Sequence, residues 1–412
     1  MKVAFDDKKF DIDEILFSFL ITNLLLLVFI NEGQLLVEFA ISVFCSVRII
    51  MMMHGDKYIT GKVLISVCFF AYLTFITVLQ GFDFTYYTDN FKLVYRPLVV
   101  FLYLSTLLLQ KPNVIKKILE KNYLFFNVYY SVNLVYLLYQ STTSIFYDNI
   151  TGFLGIYGTH RLTAFTTFLV LLNISLILNS KIKRKWILLV YTLYIAVSTF
   201  IVSNINDNTA VFIFLPLSVL LYLFCSGRIS PKMLLSVAAI GVLFILLFSQ
   251  MMKNEEILYF LESRLFNKIE GMMNVFDGES IEEERMVYVE YAFEKLNGAA
   301  CGVGMGSIKI IGDPTISSLD ILLRNWGMSN MASFISIGGI AFLILYIIAY
   351  VIFIAYPHSG VRIYIAFFVL LFVLVYYGQP LTSIPMITAV WMMLYPFLSN
   401  RNFKIYQNEG EI

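Results

Sequence analysis

The chain has 412 residues, of which 59% are hydrophobic and 14% are charged. This apolar share exceeds that of an ordinary soluble domain and is typical of a polytopic membrane protein. The formal net charge of +1 says little by itself, because the charges are segregated by loop, and no nucleic-acid partner is predicted.

Apolar runs as long as a helix needs to cross a bilayer, about 20 residues, recur along the chain. The first run, 15–30, lacks a small-residue cleavage site and is interpreted as a span, not a removable signal peptide. The predicted fold is all-α, a polytopic integral membrane protein of about twelve transmembrane helices. These spans are expected at 14–30, 34–53, 62–81, 92–110, 122–140, 162–179, 186–203, 209–226, 233–251, 329–355, 361–378 and 381–398.

The placement of Lys and Arg predicts the orientation of these spans. Segments such as "KPNVIKKILEK" and "KIKRK" are strongly basic, whereas "GFDFTYYTDN", "SNINDN" and "GQPLTS" contain no Lys or Arg. Because cytoplasmic loops of membrane proteins carry the excess of basic residues, both termini are expected in the cytoplasm.

One integral domain is predicted over residues 1–412, with a large extracytoplasmic loop at 252–328. Apolar residues at helical spacing predict an amphipathic helix at 255–276 and a second at 282–297. These helices either cap the bundle passively or roof a cavity that opens to the outer leaflet.

The glycine run "CGVGMG" near the end of this loop raises the question of phosphate binding. A dinucleotide fingerprint needs a strand before its glycines, whereas the residues before Gly302 have helical spacing. The run also lies on the side opposite the cytoplasmic nucleotides. It is therefore interpreted as a turn back to the membrane, in which glycine permits a close backbone approach.

Arginines outside the basic inner segments are the main candidates for chemistry. Arg96 lies inside a predicted span, Arg161 follows His160 at the outer start of another, and Arg285 lies in the large loop. Each has a plain alternative role, as a residue that snorkels to the interface, anchors a span or remains solvated. Grouped guanidinium groups would suit an anionic ligand, and the anion available there is a lipid phosphate or diphosphate.

Other chemistries find little support in the sequence. His160 is the sole histidine on the predicted outer side, and no metal-ligand pair or nucleophile motif occurs. The four cysteines have no paired spacing and predict no disulfide.

The layout resembles the O-antigen and capsular polysaccharide repeat-unit polymerases (Wzy type) and their relatives, the O-antigen ligases. About twelve spans with one large outer loop carry the likeness, together with Arg285, "CGVGMG" and "SNMASFISIGGIAFLILYI" in series. Upstream, "HRLTAFTTF" resembles the family's Arg-containing entry to a middle span. The ligases carry His just before the Asn of this series, where this chain has Ser329, which favours the polymerase.

This resemblance implies a metal-independent, cofactor-free glycosyltransferase in the bacterial cytoplasmic (inner) membrane, with its active site on the extracytoplasmic face. Donor and acceptor would be undecaprenyl-diphosphate-linked glycans, and an acceptor hydroxyl would displace lipid diphosphate. A chain-length regulator protein and membrane lipid are the implied partners. The resemblance implies catalytic roles for Arg161, Arg285 and Arg96, and substrate contacts for His160, Asn330, Gly302, Gly304, Glu290 and Asp207.

Three other functions stay open at this point: an O-antigen ligase-like glycan transferase, a flippase or transporter of lipid-linked oligosaccharides, and a non-catalytic membrane scaffold. Transporters commonly show repeated halves and interrupted helices, and neither is evident in the sequence.

Overall fold

The structure is a computed structural model. It describes residues 11–29, 34–54, 56–80, 83–144, 150–155, 158–179, 185–206, 210–227, 289–293, 296–306, 329–357 and 359–399. Throughout these residues the regular structure is helical, and none of them lies in a β-strand. The predicted all-α fold is confirmed.

The α-helices whose bounds the structure gives are numbered here in chain order. They are α1 (Ile12–Leu25), α2 (Gln34–Met53), α3 (Lys57–Gln80), α4 (Phe84–Gln110), α5 (Pro112–Leu119), α6 (Tyr123–Thr143), α7 (Thr159–Asn179), α8 (Lys185–Ile205), α9 (Ala210–Cys225), α10 (Asn330–Ala355), α11 (Val361–Tyr377) and α12 (Ile384–Ser399). Short 3₁₀ turns lie at Leu27–Phe29 and Gly152–Leu154.

Several helix starts follow from local sequence. The Asp11 carboxylate accepts the N–H of Asp13 at 3.0 Å and caps α1, whose first turn is acidic as the helix dipole favours. Pro112 opens α5, where a missing N–H costs nothing. The Ser329 hydroxyl accepts the N–H of Ala332 at 3.4 Å and caps α10.

Length and composition identify the membrane-crossing helices. In the described part of the chain, six helices are long and apolar enough to cross a membrane, namely α2, α3, α4, α7, α8 and α10. The chain is therefore a multi-pass helical membrane protein. Each predicted span except 233–251 coincides with an α-helix, but α1, α9, α11 and α12 are shorter than a full crossing and α6 is less apolar. The full number of twelve spans stays a prediction.

The predicted span 233–251 and the amphipathic helix 255–276 lie outside the described residues. Within the predicted large loop, residues 289–293 are helical and residues 296–306 form an irregular segment. The helical part agrees with the second predicted amphipathic helix, while the loop as a whole stays a prediction.

Burial separates central from peripheral helices. In α7, 83% of the most apolar stretch of the helix is buried, whereas in α3 the buried share of that stretch is 22%. Leu64, Phe75 and Val78 of α3 each expose more than half of their surface. Apolar faces of this extent are typical of helices that contact lipid.

Contacts group the chain into two compact units, with boundaries inside α3, α4 and α12. The first unit holds α1, α2, residues 93–110 of α4, α5 to α8, the start of α3 and most of α12. Its core includes Phe17 edge-to-face with Trp391 at 5.9 Å and Phe126 with Phe168 at 5.7 Å.

The second unit holds α9, α10, α11, the remainder of α3 and residues 84–92 of α4. An aromatic cluster forms its core, in which Tyr346 lies 5.0 Å from Phe334, 5.3 Å from Phe342 and 5.4 Å from Phe69, between ring centroids. Offset and edge-to-face contacts of this kind add to the stability that burial provides.

Candidate functional site

A buried carboxylate in the first unit lies beside one predicted arginine and within the electrostatic range of a second. The Arg96 guanidinium lies 3.6 Å from Oε2 of Glu38, and Arg161 interacts electrostatically with the same carboxylate. The Gln34 amide donates a hydrogen bond of 3.0 Å to Oε1 of Glu38. We call Glu38, Arg96 and Arg161 the outer cluster, because the sequence predicts the starts of α2 and α7 to face the extracytoplasmic side.

The outer cluster lies within the protein and not at its surface. Glu38 is 7% exposed and Arg161 is 8% exposed. A charge inside an apolar helix costs about 2.5–3.5 kcal/mol on insertion scales, so such groups persist where they pair or serve a function. The contact of Glu38 with Arg96 therefore explains how both charges are held among apolar helices.

Glu38 was missed by sequence reasoning, although a signal was present. It is an acid inside the apolar run "QLLVEFAISVF", five residues into α2. A carboxylate in such a run marks a functional or paired position. Its partners could not be identified from the run itself, because they lie on α4 and α7.

The other predicted site residues fall elsewhere or outside the described part of the chain. His160 is half-buried beside Arg161 on α7. Arg285 and Asp207 lie outside the described residues. Glu290 is exposed within the helical residues 289–293 of the second unit, and its role stays a prediction.

The glycine run of the second unit packs against a break in α10. At Gly339 the backbone leaves the helical conformation, with φ of 79° and ψ of 170°. The carbonyls of Ser336 and Ile337 instead accept the N–H groups of Val303 at 2.7 Å and Gly304 at 3.0 Å. The loop thus satisfies backbone groups that the break leaves without helical partners.

The same interface contains two further backbone contacts. Ile340, the first residue after the break, donates its N–H to the Gly298 carbonyl at 2.9 Å. The Tyr72 hydroxyl donates to the Gly338 carbonyl at 3.0 Å. No interrupted helix was evident in the sequence, and this expectation is wrong for α10. The adjacent glycines Gly338 and Gly339 allow the helix to break although it contains no proline.

Close packing explains why glycine is required in this run. Gly302 has φ of 69°, and a Cβ there would lie 2.5 Å from the Ser336 carbonyl oxygen. Gly304 has φ of 77°, and a Cβ there would lie 2.6 Å from Cα of Thr77. The interpretation that glycine permits a close backbone approach is confirmed. A substrate contact by either glycine stays a prediction.

Asn330 is buried as the first residue of α10, where its N–H donates to the Gly378 carbonyl at 2.8 Å. The cap of this helix is Ser329. From the sequence, Asn330 itself could equally have capped this span, but Ser329 takes that position. The contact of Asn330 with a sugar stays a prediction.

A second charged cluster of the first unit joins the start of α1 to the ends of α2 and α4. Arg48 donates to both oxygens of Asp13, at 2.9 Å and 2.7 Å, and the Lys111 amine lies 2.8 Å from Asp13 and from Asp11. The Tyr103 hydroxyl donates to Asp13 at 3.2 Å. We call Asp11, Asp13, Arg48 and Lys111 the inner cluster, because the sequence predicts these helix ends to face the cytoplasm.

The inner cluster changes the titration of its members. Burial by itself would raise the pKa of Asp13, but the hydrogen bonds from Arg48 and Lys111 outweigh it and hold the pKa below its ordinary 3.8. For Lys111, burial would lower the pKa, but the bonds to Asp11 and Asp13 raise it above 10.5. Both groups therefore keep their charges near neutral pH.

All four cysteines are free thiols, as predicted. Across the described ranges, no group of three or more His, Cys, Asp or Glu side chains is arranged to hold a metal ion.

No protein-family model, curated protein or solved structure matches this chain.

Proposed function

We propose that this chain is a metal-independent glycosyltransferase that joins undecaprenyl-diphosphate-linked oligosaccharide repeat units on the extracytoplasmic face of the bacterial cytoplasmic membrane, releasing lipid diphosphate. One observation supports this proposal above the others. Arg96 and Arg161, selected from the sequence in different spans, both interact with one buried carboxylate, Arg96 at 3.6 Å and Arg161 through its electrostatic field. A site for an anion within a helical bundle needs such a convergence of cations.

The chemistry of the outer cluster suits a diphosphate leaving group. Displacement by an acceptor hydroxyl breaks the bond from the anomeric carbon to the phosphate oxygen, and negative charge develops on the diphosphate. Arg96 and Arg161 would stabilise that charge in a site shielded from water, where electrostatic contacts are strongest. A guanidinium also presents parallel N–H donors that match two phosphate oxygens.

The depth of the cluster suits a lipid-linked substrate. Arg161 is the third residue of α7 and Glu38 the fifth of α2, so both lie near helix starts. A diphosphate there would sit at the height of lipid headgroups, with its isoprenyl chain among the apolar faces of the helices. Arg285 stays a predicted diphosphate contact, Asn330 a predicted sugar contact, and Glu290 and Asp207 predicted acceptors of the hydroxyl proton.

The break in α10 favours a second candidate, a flippase or transporter of lipid-linked oligosaccharides. Interrupted membrane helices are common in transporters, where irregular backbone lines a substrate path. In this chain, however, the backbone groups at Ser336, Ile337 and Ile340 are occupied by the glycine loop. This occupation favours a rigid structural break over an open ion or substrate site.

The surface glycan of a strain that lacks this chain tests the two functions. Loss of a polymerase leaves single repeat units on the surface, whereas loss of a flippase leaves none. Loss of a ligase leaves polymer on its lipid carrier and none on the final acceptor. Long surface polymer in the deletion strain would contradict the proposal.

The metal-independence of the proposed reaction is checked with the purified protein. Extension of a lipid-linked acceptor is expected to continue in excess chelator, because guanidinium groups and not a divalent ion would stabilise the leaving group. Activity that disappears with chelator and returns with a divalent ion would overturn this part of the proposal.

A further inference from the structure

Glu38 differs from a carboxylate that permanently neutralises a buried cation. Its contact with Arg96 is long, at 3.6 Å, compared with the 2.7 Å and 2.9 Å between Arg48 and Asp13. A buried ion pair offsets the cost of desolvation only when its geometry is tight and its remaining atoms are hydrogen-bonded. In the pair of Glu38 and Arg96 the geometry is not tight, and only one further hydrogen bond, from Gln34, reaches the carboxylate.

Asp13 provides the comparison within the same unit. It accepts two hydrogen bonds from Arg48, one from Lys111 and one from Tyr103, and it is fully buried. The protein therefore contains a tight charged pair where helix ends are joined and a loose one at the predicted diphosphate site. Because the contact is loose, Glu38 does not engage most of the five N–H donors of Arg96.

Gln34 gives Glu38 a second partner on its own helix. Its amide donates to Oε1, while the oxygen nearer Arg96 is Oε2. If Arg96 turned from Glu38 to another anion, Glu38 would keep the hydrogen bond from Gln34. That bond reduces the cost of leaving a buried carboxylate without its cation.

We propose that Glu38 is an internal counter-anion, which pairs with Arg96 and gives way to the diphosphate of a lipid-linked glycan bound by Arg96 and Arg161. This inference rests on the proposed function and assigns Glu38 a positioning role. The carboxylate keeps the Arg96 guanidinium oriented before substrate arrives. It also lowers the affinity for diphosphate, so that the diphosphate product is released after each transfer.

Binding of an isoprenyl diphosphate to the purified full chain in lipid nanodiscs tests this inference. Removing the competing charge with Glu38→Gln should tighten binding by about tenfold or more, because close charge pairs couple strongly at desolvated sites. Turnover should fall in the same variant, since product release slows. A purely structural role predicts weaker binding and lower stability instead.

Two further variants keep the test decisive. Glu38→Asp retains the charge but shortens the side chain, so its affinity should rise by a smaller factor even if Glu38→Gln folds poorly. Glu14→Gln is the matched control, because Glu14 forms an exposed pair with Lys117 away from the site. It should bind as wild type does.

Inorganic diphosphate serves as the second probe and separates the two sources of this anion. Tighter binding of both probes by Glu38→Gln, with a preference for the isoprenyl form, supports a lipid-linked ligand. A gain for inorganic diphosphate alone contradicts it. Equal affinity of wild type, Glu38→Gln and Glu38→Asp for the isoprenyl probe overturns the role of Glu38 alone. Absence of binding by wild type and both variants overturns the proposed function as well.

Discussion

The inner and outer clusters lie in the same unit and pair the same kinds of side chain, but with different geometries. In the inner cluster Arg48 grips Asp13 through two hydrogen bonds, and Lys111 adds a third. In the outer cluster Arg96 lies farther from its partner, at 3.6 Å from Glu38. A tight pair holds helix ends together, whereas a loose pair leaves a guanidinium able to exchange its partner.

The positions of the clusters also bear on topology. α2 carries Glu38 near its start and Arg48 ten residues later, about 15 Å along the helix axis. The inner cluster joins the start of α1 to the ends of α2 and α4. These helices therefore alternate in direction, as the order of the predicted spans requires.

The largest expected effect is on the inner cluster, from Arg48→Ala. The variant leaves Asp13 fully buried with Lys111 as its remaining cation, and we expect the free energy of unfolding to fall by about 3 kcal/mol. Thermal unfolding in detergent measures the loss. Transfer activity per folded molecule should be unchanged, and Glu14→Gln should change stability by less than about 1 kcal/mol. A loss of activity at unchanged stability would contradict the structural role of the inner cluster.

The next effect is on the outer cluster, from Arg161→Ala. Under the proposed function Arg161 stabilises the leaving diphosphate, so its loss should reduce polymer turnover by about 100-fold, or about 2.7 kcal/mol. Arg161→Lys should restore only part of the rate, because an ammonium lacks the parallel donors. Turnover is measured at matched protein level in the membrane. Near-normal polymer from both Arg161→Ala and Arg96→Ala would contradict a functional role of the outer cluster.

A third substitution tests the uncharged contact between the glycine loop and α10 in the second unit. Gly302→Ala places a Cβ against the Ser336 carbonyl at positive φ and should destabilise the protein by about 2 kcal/mol. The matched control is Gly61→Ala in α3, where no atom lies within 4 Å of the added Cβ. The control should be neutral or slightly stabilising. Equal stability of the two variants would refute the close approach of the glycine loop to α10.

The smallest effect is the pH dependence of the inner cluster. Because the pKa of folded Asp13 lies below 3.8, its contribution to stability is present above that pH and is lost as pH falls through the lower, folded value. Lys111, with its pKa above 10.5, stays charged up to that pH. The stability difference between wild type and Arg48→Ala should therefore be constant from about pH 5 to about pH 9 and shrink in stronger acid. A steady decline across the neutral range would contradict the assignment.

Local sequence was enough to place most helices. Apolar runs predicted α2, α7 and α10 within a few residues, because the hydrophobic length of a span is a property of neighbouring residues. The end of α4 was predicted too, but the helix begins at Phe84, ahead of the apolar run that starts at 92. The same local cost of burying a charge selected Arg96 and Arg161 as unusual. The fold class and two members of the outer cluster thus followed from composition and position along the chain.

Tertiary structure alone decided which charges meet and where a helix breaks. Glu38 pairs with Arg96, and Asp13 with Arg48, through the lateral packing and rotation of helices, which hydropathy does not encode. The break at Gly339 depends on backbone bonds from a loop that precedes α10. Contacts between residues distant in sequence appear only once the helices are packed, and for that reason the partners of the candidate arginine on α4 could not be read from its own span.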